Sequence, residues 1–302
     1  MRMRPDGKGF TLLELIIAMG LLGVVTMAIF SVYNTQRRVT YVEADVADVQ
    51  QNLRLAMQSI LKDLRIAGFM LTDGQVPLAS ANDGAGPGAS DTLTMNTAAA
   101  GGAACRIDAD LTVAISSAAP FALAVTSAAE LDWFADGDSV RILSPGERSQ
   151  PADTAYTVIS KDSSVPSITV MPDSDGDIVD LKRGFIIART GAAVPDTFPN
   201  TIAYCLGPAA GCAPDVPCPA GLCLMRIVNN SPSEDSVVAT NIGNLQFRYI
   251  LDGSTAETDS PADLSAVRDI KVLISGMTVQ TAPLTGAPKT RELTATSRIR
   301  NR

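Results

Sequence analysis

The chain has 302 residues, with 24 Lys and Arg against 32 Asp and Glu, a formal net charge of −8 and no histidine. An acidic balance argues against nonspecific nucleic-acid binding, which draws on Lys and Arg to neutralise phosphates, although Arg298, Arg300 and Arg302 still form a local basic group. The missing histidine excludes Ser-His-Asp and Cys-His nucleophile systems and His-ligated zinc, so no enzyme is expected.

Residues 1–9 contain Arg2, Arg4 and Lys8, a basic leader that stays on the cytoplasmic side of a membrane. The apolar run from Phe10 to Tyr33 follows, long enough to cross a bilayer as a helix of about 20 residues. Its one charged side chain is Glu14. A lone carboxylate in an apolar helix costs about 2.5–3.5 kcal/mol on insertion scales, so it calls for a partner or an interfacial position. A cut between Gly9 and Phe10 supplies that partner, because it creates an amino terminus one helical turn from Glu14. Losing residues 1–9 removes three basic side chains and Asp6, and takes the charge of the remainder from −8 to −10. An ordinary secretory signal is cut after its apolar core at small residues. Here Phe30-Ser31-Val32-Tyr33 leads into Asn34-Thr35-Gln36-Arg37, with no Ala-x-Ala.

Lys8-Gly9-Phe10-Thr11-Leu12-Leu13-Glu14 resembles the class III signal of type IV pilins and pseudopilins. The resemblance implies that a prepilin peptidase cuts after Gly9 and methylates the amine of Phe10, and that this amine meets Glu14 of a neighbouring subunit. A plain single-span anchor is the competing reading.

Beyond Tyr33 the apolar positions become spaced. Val39, Val42, Val46, Val49, Leu53, Met57, Ile60, Leu64 and Ala67 form one stripe on a helix, while Arg37, Arg38, Glu43, Asp45, Asp48, Arg54, Lys62, Asp63 and Arg65 are expected on the solvated face. Gly68 offers a C-terminal cap. A continuous helix from Phe10 to Ala67 is roughly 85–90 Å long. The seven-residue repeat is not sustained, so the stripe reads as core packing rather than a coiled coil. Gly20, Gly23 and Thr26 permit close helix contacts within the anchor. Ser59 and Lys62 match a Ser-x-x-Lys pattern without its companion motifs, and carry no catalytic expectation. The segment from Gln50 to Phe69 looks like the end of the spine helix in the PilW group of minor pilins, and is similar to the GspJ pseudopilin of type II secretion.

From residue 69 to 302 the chain reads as a β-rich head. Residues 73–104 are a Gly-, Ala- and Pro-rich connection with one strand near Leu93–Met95, and strand composition recurs at 138–143, 156–159, 167–170, 185–188, 246–250 and 269–274. The closing residues 293–302 resemble a PilW terminal strand ending in Arg-x-Arg-Asn. Cys205, Cys212, Cys218 and Cys223 lie in a Gly/Pro-rich loop at 205–223, with Cys105 far upstream. No Cys-x-x-Cys is present, and disulfides suit an exported domain, with the pairing open and at least one cysteine of the five unpaired within the subunit or joined to a partner. Asp173, Asp175, Asp177 and Asp180 cluster around Gly176. Oxygen-rich loops of this kind hold Ca²⁺, but the spacing departs from the EF-hand loop, and Asp-Gly equally makes a hairpin turn between Val170 and Ile178.

These readings divide the chain into a leader at 1–9, a membrane or filament-core helix at 10–33, an amphipathic second half at 34–68 and a head at 69–302. The fold class expected is α+β, a type IV pilin-like layout of long helix on antiparallel sheet. The resemblance implies a PilW-like minor pilin that is incorporated into a type IV pilus or primes its assembly. Its partners would be major and minor pilins, the prepilin peptidase and an inner-membrane assembly platform, with no cofactor beyond the calcium alternative. Before assembly the subunit would sit in the inner membrane with its head in the periplasm, and afterwards in the pilus or at the cell surface. A GspJ-like minor pseudopilin and a pilus-mounted adhesive or calcium-dependent binding protein are the alternatives.

Overall fold

The computed structural model describes residues 11–71, 74–84, 90–98, 103–145, 149–192, 198–207, 212–213, 215–218, 222–233, 236–281 and 286–301. One helix, α1 (Leu12–Ile66), holds 55 residues without a break, about 82 Å at 1.5 Å per residue. Everything from residue 11 to residue 41 is exposed, and burial begins at Val42. From there Val42, Val46, Val49, Leu53, Ala56, Met57, Ile60 and Leu64 turn one face into the head, in the three- and four-residue steps of a helical stripe. Val39, expected to open that stripe, is 43% exposed because the head does not reach it.

After α1 the chain forms β1 (Leu78–Asn82) and β2 (Thr92–Thr97). It then makes a long excursion through β3 (Ala104–Arg106), β4 (Leu111–Ala114), β5 (Phe121–Ala124), β6 (Asp138–Leu143), β7 (Tyr156–Asp162), β8 (Ser167–Pro172), β9 (Ile178–Leu181) and β10 (Ile186–Ala192). It returns with β11 (Asn200–Gly207), β12 (Cys223–Val228), β13 (Val237–Ala239), β14 (Ile242–Leu251), β15 (Glu257–Thr258), β16 (Val267–Thr281) and β17 (Pro288–Arg298). All strand pairs are antiparallel. The α+β, pilin-like layout of long helix and antiparallel head is therefore present.

Two sheets share the helix. One has the order β15-β14-β16-β17 and the other β1-β2-β11-β12-β13. Their inward residues, among them Leu93, Met95, Tyr204, Leu224, Phe247, Tyr249, Val272 and Ile274, form one core with Val49, Leu53, Ile60 and Leu64 of α1. Gly276 of β16 is what lets the helix come close, since a Cβ there would stand 2.8 Å from Val49 Cγ1. Asp91 links the sheets: its carboxylate accepts from Phe247 N at 2.7 Å, and its own N–H donates to Leu245 O at 2.8 Å. Burial pushes that carboxyl above the usual range.

The excursion between β2 and β11 has a core of its own, built on Ile107, Leu123, Val140, Ile142, Tyr156, Ile168, Val170 and Ile187. Its six strands run in the order β3-β10-β6-β7-β8-β5. The two edges then meet. Ile107 bridges Val125, Asp108 N donates to Ala124 O at 2.9 Å, and Thr126 N to Arg106 O at 3.0 Å. The sheet thus closes on itself as a small barrel, which removes the exposed edges an open sheet would present. Thr97 and Asn200 face each other across β2 and β11, so the barrel occupies the loop of what is otherwise a hairpin. It leaves the head beside the C-terminal end of α1, where Gly68 N donates to Asn96 O at 2.8 Å and Ala98 N to Phe69 O at 2.9 Å.

That end of the helix is secured twice. Gly68 has φ +76°, and a Cβ would fall 1.8 Å from Asn301 O. Only glycine fits there. Asn301 Nδ2 in turn donates to the open carbonyls of Arg65 and Ala67 at 3.4 and 3.3 Å. The spine terminus and the chain's closing segment, more than two hundred residues apart in sequence, form one cap.

One expectation is corrected. Asp63, assigned to the solvated face, is buried. It accepts from Arg226 Nε at 2.5 Å and from Tyr204 Oη at 2.7 Å, and Tyr204 Oη lies 2.7 Å from Ser59 Oγ. The charge is tolerated because a cation from β12 and a hydroxyl from β11 replace the water it loses. Burial, and then the Asp63 carboxylate, push the Tyr204 hydroxyl far above its ordinary value. Ser59, the serine of the Ser-x-x-Lys match, belongs to this network. Replacing Asp63 by Ala strands the Arg226 charge, and the expected loss is about 3–5 kcal/mol, read as a fall in Tm of the detergent-solubilised chain. The double replacement Asp63→Leu with Arg226→Met recovers most of it. A single-variant loss of only about 1 kcal/mol would mean that the pair behaves as a surface ion pair.

Candidate functional site

The cleavage residues Gly9 and Phe10 lie outside the described residues, and so does the leader. The described helix starts on the other half of the expected pair. Thr11 is its N-cap: Glu14 N donates to Thr11 Oγ1 at 3.2 Å, while Thr11 N and Thr11 Oγ1 donate to Glu14 Oε2 at 3.0 and 3.2 Å. This is a capping box, and its Thr-x-x-Glu signature is legible at Thr11 and Glu14 although the sequence reading passed over it. It offsets part of the cost of a carboxylate in an apolar helix, and the helix dipole favours a negative group in the first turn. Glu14 Oε1 takes no hydrogen bond among the described residues. Glu14 thus keeps one carboxylate oxygen open at the start of the described helix.

From Leu12 onward the helix meets the length and apolarity of a membrane span, and none of its most apolar window is buried within the chain. The hydroxyl of Thr26 is satisfied internally by Leu22 O at 2.7 Å, so it brings no open donor into an apolar layer. Gly20 and Gly23 face open space on this exposed surface.

The cysteine loop is not a free appendage. Cys205 pairs with Cys212 and Cys218 with Cys223, each bridge tying the loop back to the strand nearest it, β11 or β12. Cys212, Ala213 and Val216 then pack on Cys205, Met225 and Ile227, on the face of the sheet opposite α1. This explains why β11 is buried on both faces near its end. Cys105 stands apart on β3, buried, with a free thiol. Burial, and secondarily the charge of Glu130, push that thiol up to about 12, so almost none of it is thiolate near neutral pH.

The acidic segment connects β8 to β9, which pair with different strands. The hairpin expected between Val170 and Ile178 is therefore absent, because β9 crosses over to β4 instead of returning along β8. The carboxylates are directed apart. Asp173 accepts from Thr157 Oγ1 at 2.9 Å, Asp175 from Ser117 N and Oγ at 2.7 and 2.9 Å, and Asp180 from Thr112 Oγ1 at 2.5 Å. The Ser117 hydrogen bonds hold the Asp175 carboxyl below its ordinary value. Among the described residues no group of three or more His, Cys, Asp or Glu side chains is arranged to hold a metal ion. Asp173, Asp175, Asp177 and Asp180 are not brought together as a site.

With this geometry in place, comparison with known families matches residues 5–30 to the prokaryotic N-terminal methylation motif. No curated protein matches the chain. The matched segment takes in the end of the leader from Pro5, with Lys8, then Gly9, Phe10, Glu14 and most of the apolar run. It carries the class III signal of pilin-like precursors, which are cut by prepilin peptidase, anchored by the apolar helix and assembled with other pilin-type subunits. The match supports a precursor of this general type, a pilin or a pseudopilin.

The cysteine arrangement predicts the alkylation pattern. Treating the native, detergent-solubilised chain with iodoacetamide should add nothing, denaturation alone should expose one thiol, and denaturation with reductant should expose all five. Two or more adducts on the unreduced denatured chain would contradict the pairing.

Proposed function

We propose that the protein is a minor, PilW-like subunit of a type IV pilus, cut between Gly9 and Phe10, methylated on the Phe10 amine and built into the fibre at its leading end. In this reading α1 stores the subunit in the inner membrane with the head in the periplasm. Assembly exchanges lipid for neighbouring helices around residues 12–41, all of which are exposed on their own chain. The Phe10 amine of one subunit then takes the open side of Glu14 in the next, offsetting two charges that are costly in an apolar layer.

The observation that carries the minor, end-of-fibre assignment is the position of the barrel. It emerges beside Gly68 and Phe69, at the end of α1 opposite the anchor. In a fibre of parallel subunits staggered along their helices, that is where the head of the preceding subunit would rest. A subunit with this addition suits the first position, where nothing precedes it.

The register of the head suggests the test. Thr97 and Asn200 are already paired, so an Asn-Gly turn in place of residues 98–199 closes β2 onto β11 as an ordinary hairpin. In the native host the intact chain should be present in sheared filaments far below the major subunit, and its loss should reduce surface piliation. The barrel-less chain, folded and processed normally, should rise in copy number along the fibre. A secretion defect with normal piliation would assign the subunit to a type II secretion pseudopilus instead. Unchanged copy number for a folded, processed barrel-less chain would overturn the end-of-fibre assignment.

A further inference from the structure

Between the last residue of the apolar run, Tyr33, and the first buried residue, Val42, lies a stretch of α1 whose residues are all exposed. Residues 34–41 span about 12 Å at 1.5 Å per residue. That exceeds the roughly 5–8 Å that the headgroup region adds to each side of the hydrocarbon core. On one face of this neck Tyr33, Arg37 and Tyr41 follow at four-residue spacing. The Arg37 guanidinium carbon lies 5.7 Å from the Tyr33 ring centroid and 5.9 Å from that of Tyr41, and Arg37 Nη2 donates to Tyr41 Oη at 3.1 Å. The cation lies within reach of both rings on an exposed stretch of helix, about 6 Å above the end of the apolar run.

We propose that this ladder is a binding site for the phosphate of a membrane phospholipid, and that it fixes the depth at which the stored subunit sits. The inference rests on the membrane anchoring of α1 and not on which fibre the subunit joins.

Three observations favour lipid phosphate over another occupant. First, both tyrosines keep more than half of their surface exposed, an arrangement suited to the interface, where an aromatic ring is half covered by lipid and its hydroxyl stays wet. Second, Arg37 and Arg38 follow the span on the side opposite the basic leader, against the usual bias of cations to the cytoplasmic side, so a local anion is called for. Third, the two carboxylates of the helix nearest the neck are already engaged within their own head. Glu43 accepts from Lys289 Nζ at 2.6 Å and Asp45 from Gln280 N at 3.0 Å. Those two carboxylates already have donors of their own, one of them a cation, whereas every phospholipid of the adjoining leaflet offers a phosphate. Arg is suited to it, since its planar fork pairs two donors with two phosphate oxygens.

The test uses the full chain, with guanidinium-¹³C arginine, in vesicles of phosphatidylethanolamine and phosphatidylglycerol. Insertion is checked separately by resistance to alkaline extraction. Solid-state NMR then reads dephasing of arginine carbon by lipid ³¹P. The wild type should show a dephased guanidinium signal that Arg37→Lys removes and Arg38→Lys retains, both variants keeping the charge and inserting equally. Equal dephasing in wild type and Arg37→Lys would overturn the assignment to Arg37. So would its absence from a fully inserted wild type, and contact of Arg37 with a differently labelled second copy would transfer the surface to a neighbouring subunit.

Discussion

A single helix here has to satisfy two surroundings with one backbone. Its amide ladder runs unbroken from Leu12 to Ile66, but side-chain cover from the chain itself starts only at Val42. Large apolar side chains such as Leu13, Ile16, Leu22, Phe30 and Val32 are each more than half exposed. Fully burying a residue of this kind stabilises by about 1.5–3 kcal/mol, so a row of them left in water is untenable, and the molecule is complete only with lipid or other helices around its lower half. The capping box at Thr11 and Glu14, the internal hydrogen bond of Thr26 and the Tyr33–Arg37–Tyr41 ladder are each adapted to such cover. They satisfy polar groups without water at one end and meet water again at the other.

The upper half of the helix obeys the opposite rule. It is enclosed by two sheets and tied by a buried ion pair, Asp63 with Arg226, and by the reciprocal fit of Gly68 and Asn301. Rigidity at this end has a functional consequence in the proposed fibre. An anchor can transmit position to the head only if spine and sheet move as one body. The barrel, seated at the same end and carrying its own core, is then presented in a fixed direction away from the membrane.

Much of this was legible in the residues. The apolar run, the spaced stripe and the strands at 138–143, 156–159, 167–170, 246–250 and 269–274 are periodic signals, and the structure places an element over each. What could not be read depends on contacts between distant segments. Asp63 is charged and sits beside the stripe, so local pattern assigns it to solvent; its burial follows only from Arg226 and Tyr204 arriving from other strands. The barrel closes through Ile107 and Val125, where short strands pair in an order that no local pattern encodes. The Asp-Gly sequence at Asp175 and Gly176 has hairpin chemistry, yet its flanking strands belong to different ladders. At the candidate assembly site the pattern did contain the answer: Thr11 and Glu14 carry a capping signature, which the emphasis on Glu14 as an unpaired charge obscured.

The central claim is the proposal that the chain is a precursor cut between Gly9 and Phe10, just before the helix that carries Glu14. The most direct measurement is the intact mass and amino-terminal sequence of the protein from its native host, alongside a Gly9→Ala variant and a strain without prepilin peptidase. The account predicts a mature terminus at methylated Phe10 in the wild type, and an uncut leader in both comparisons. A wild-type protein that retains residues 1–9 would contradict it and leave a plain membrane anchor.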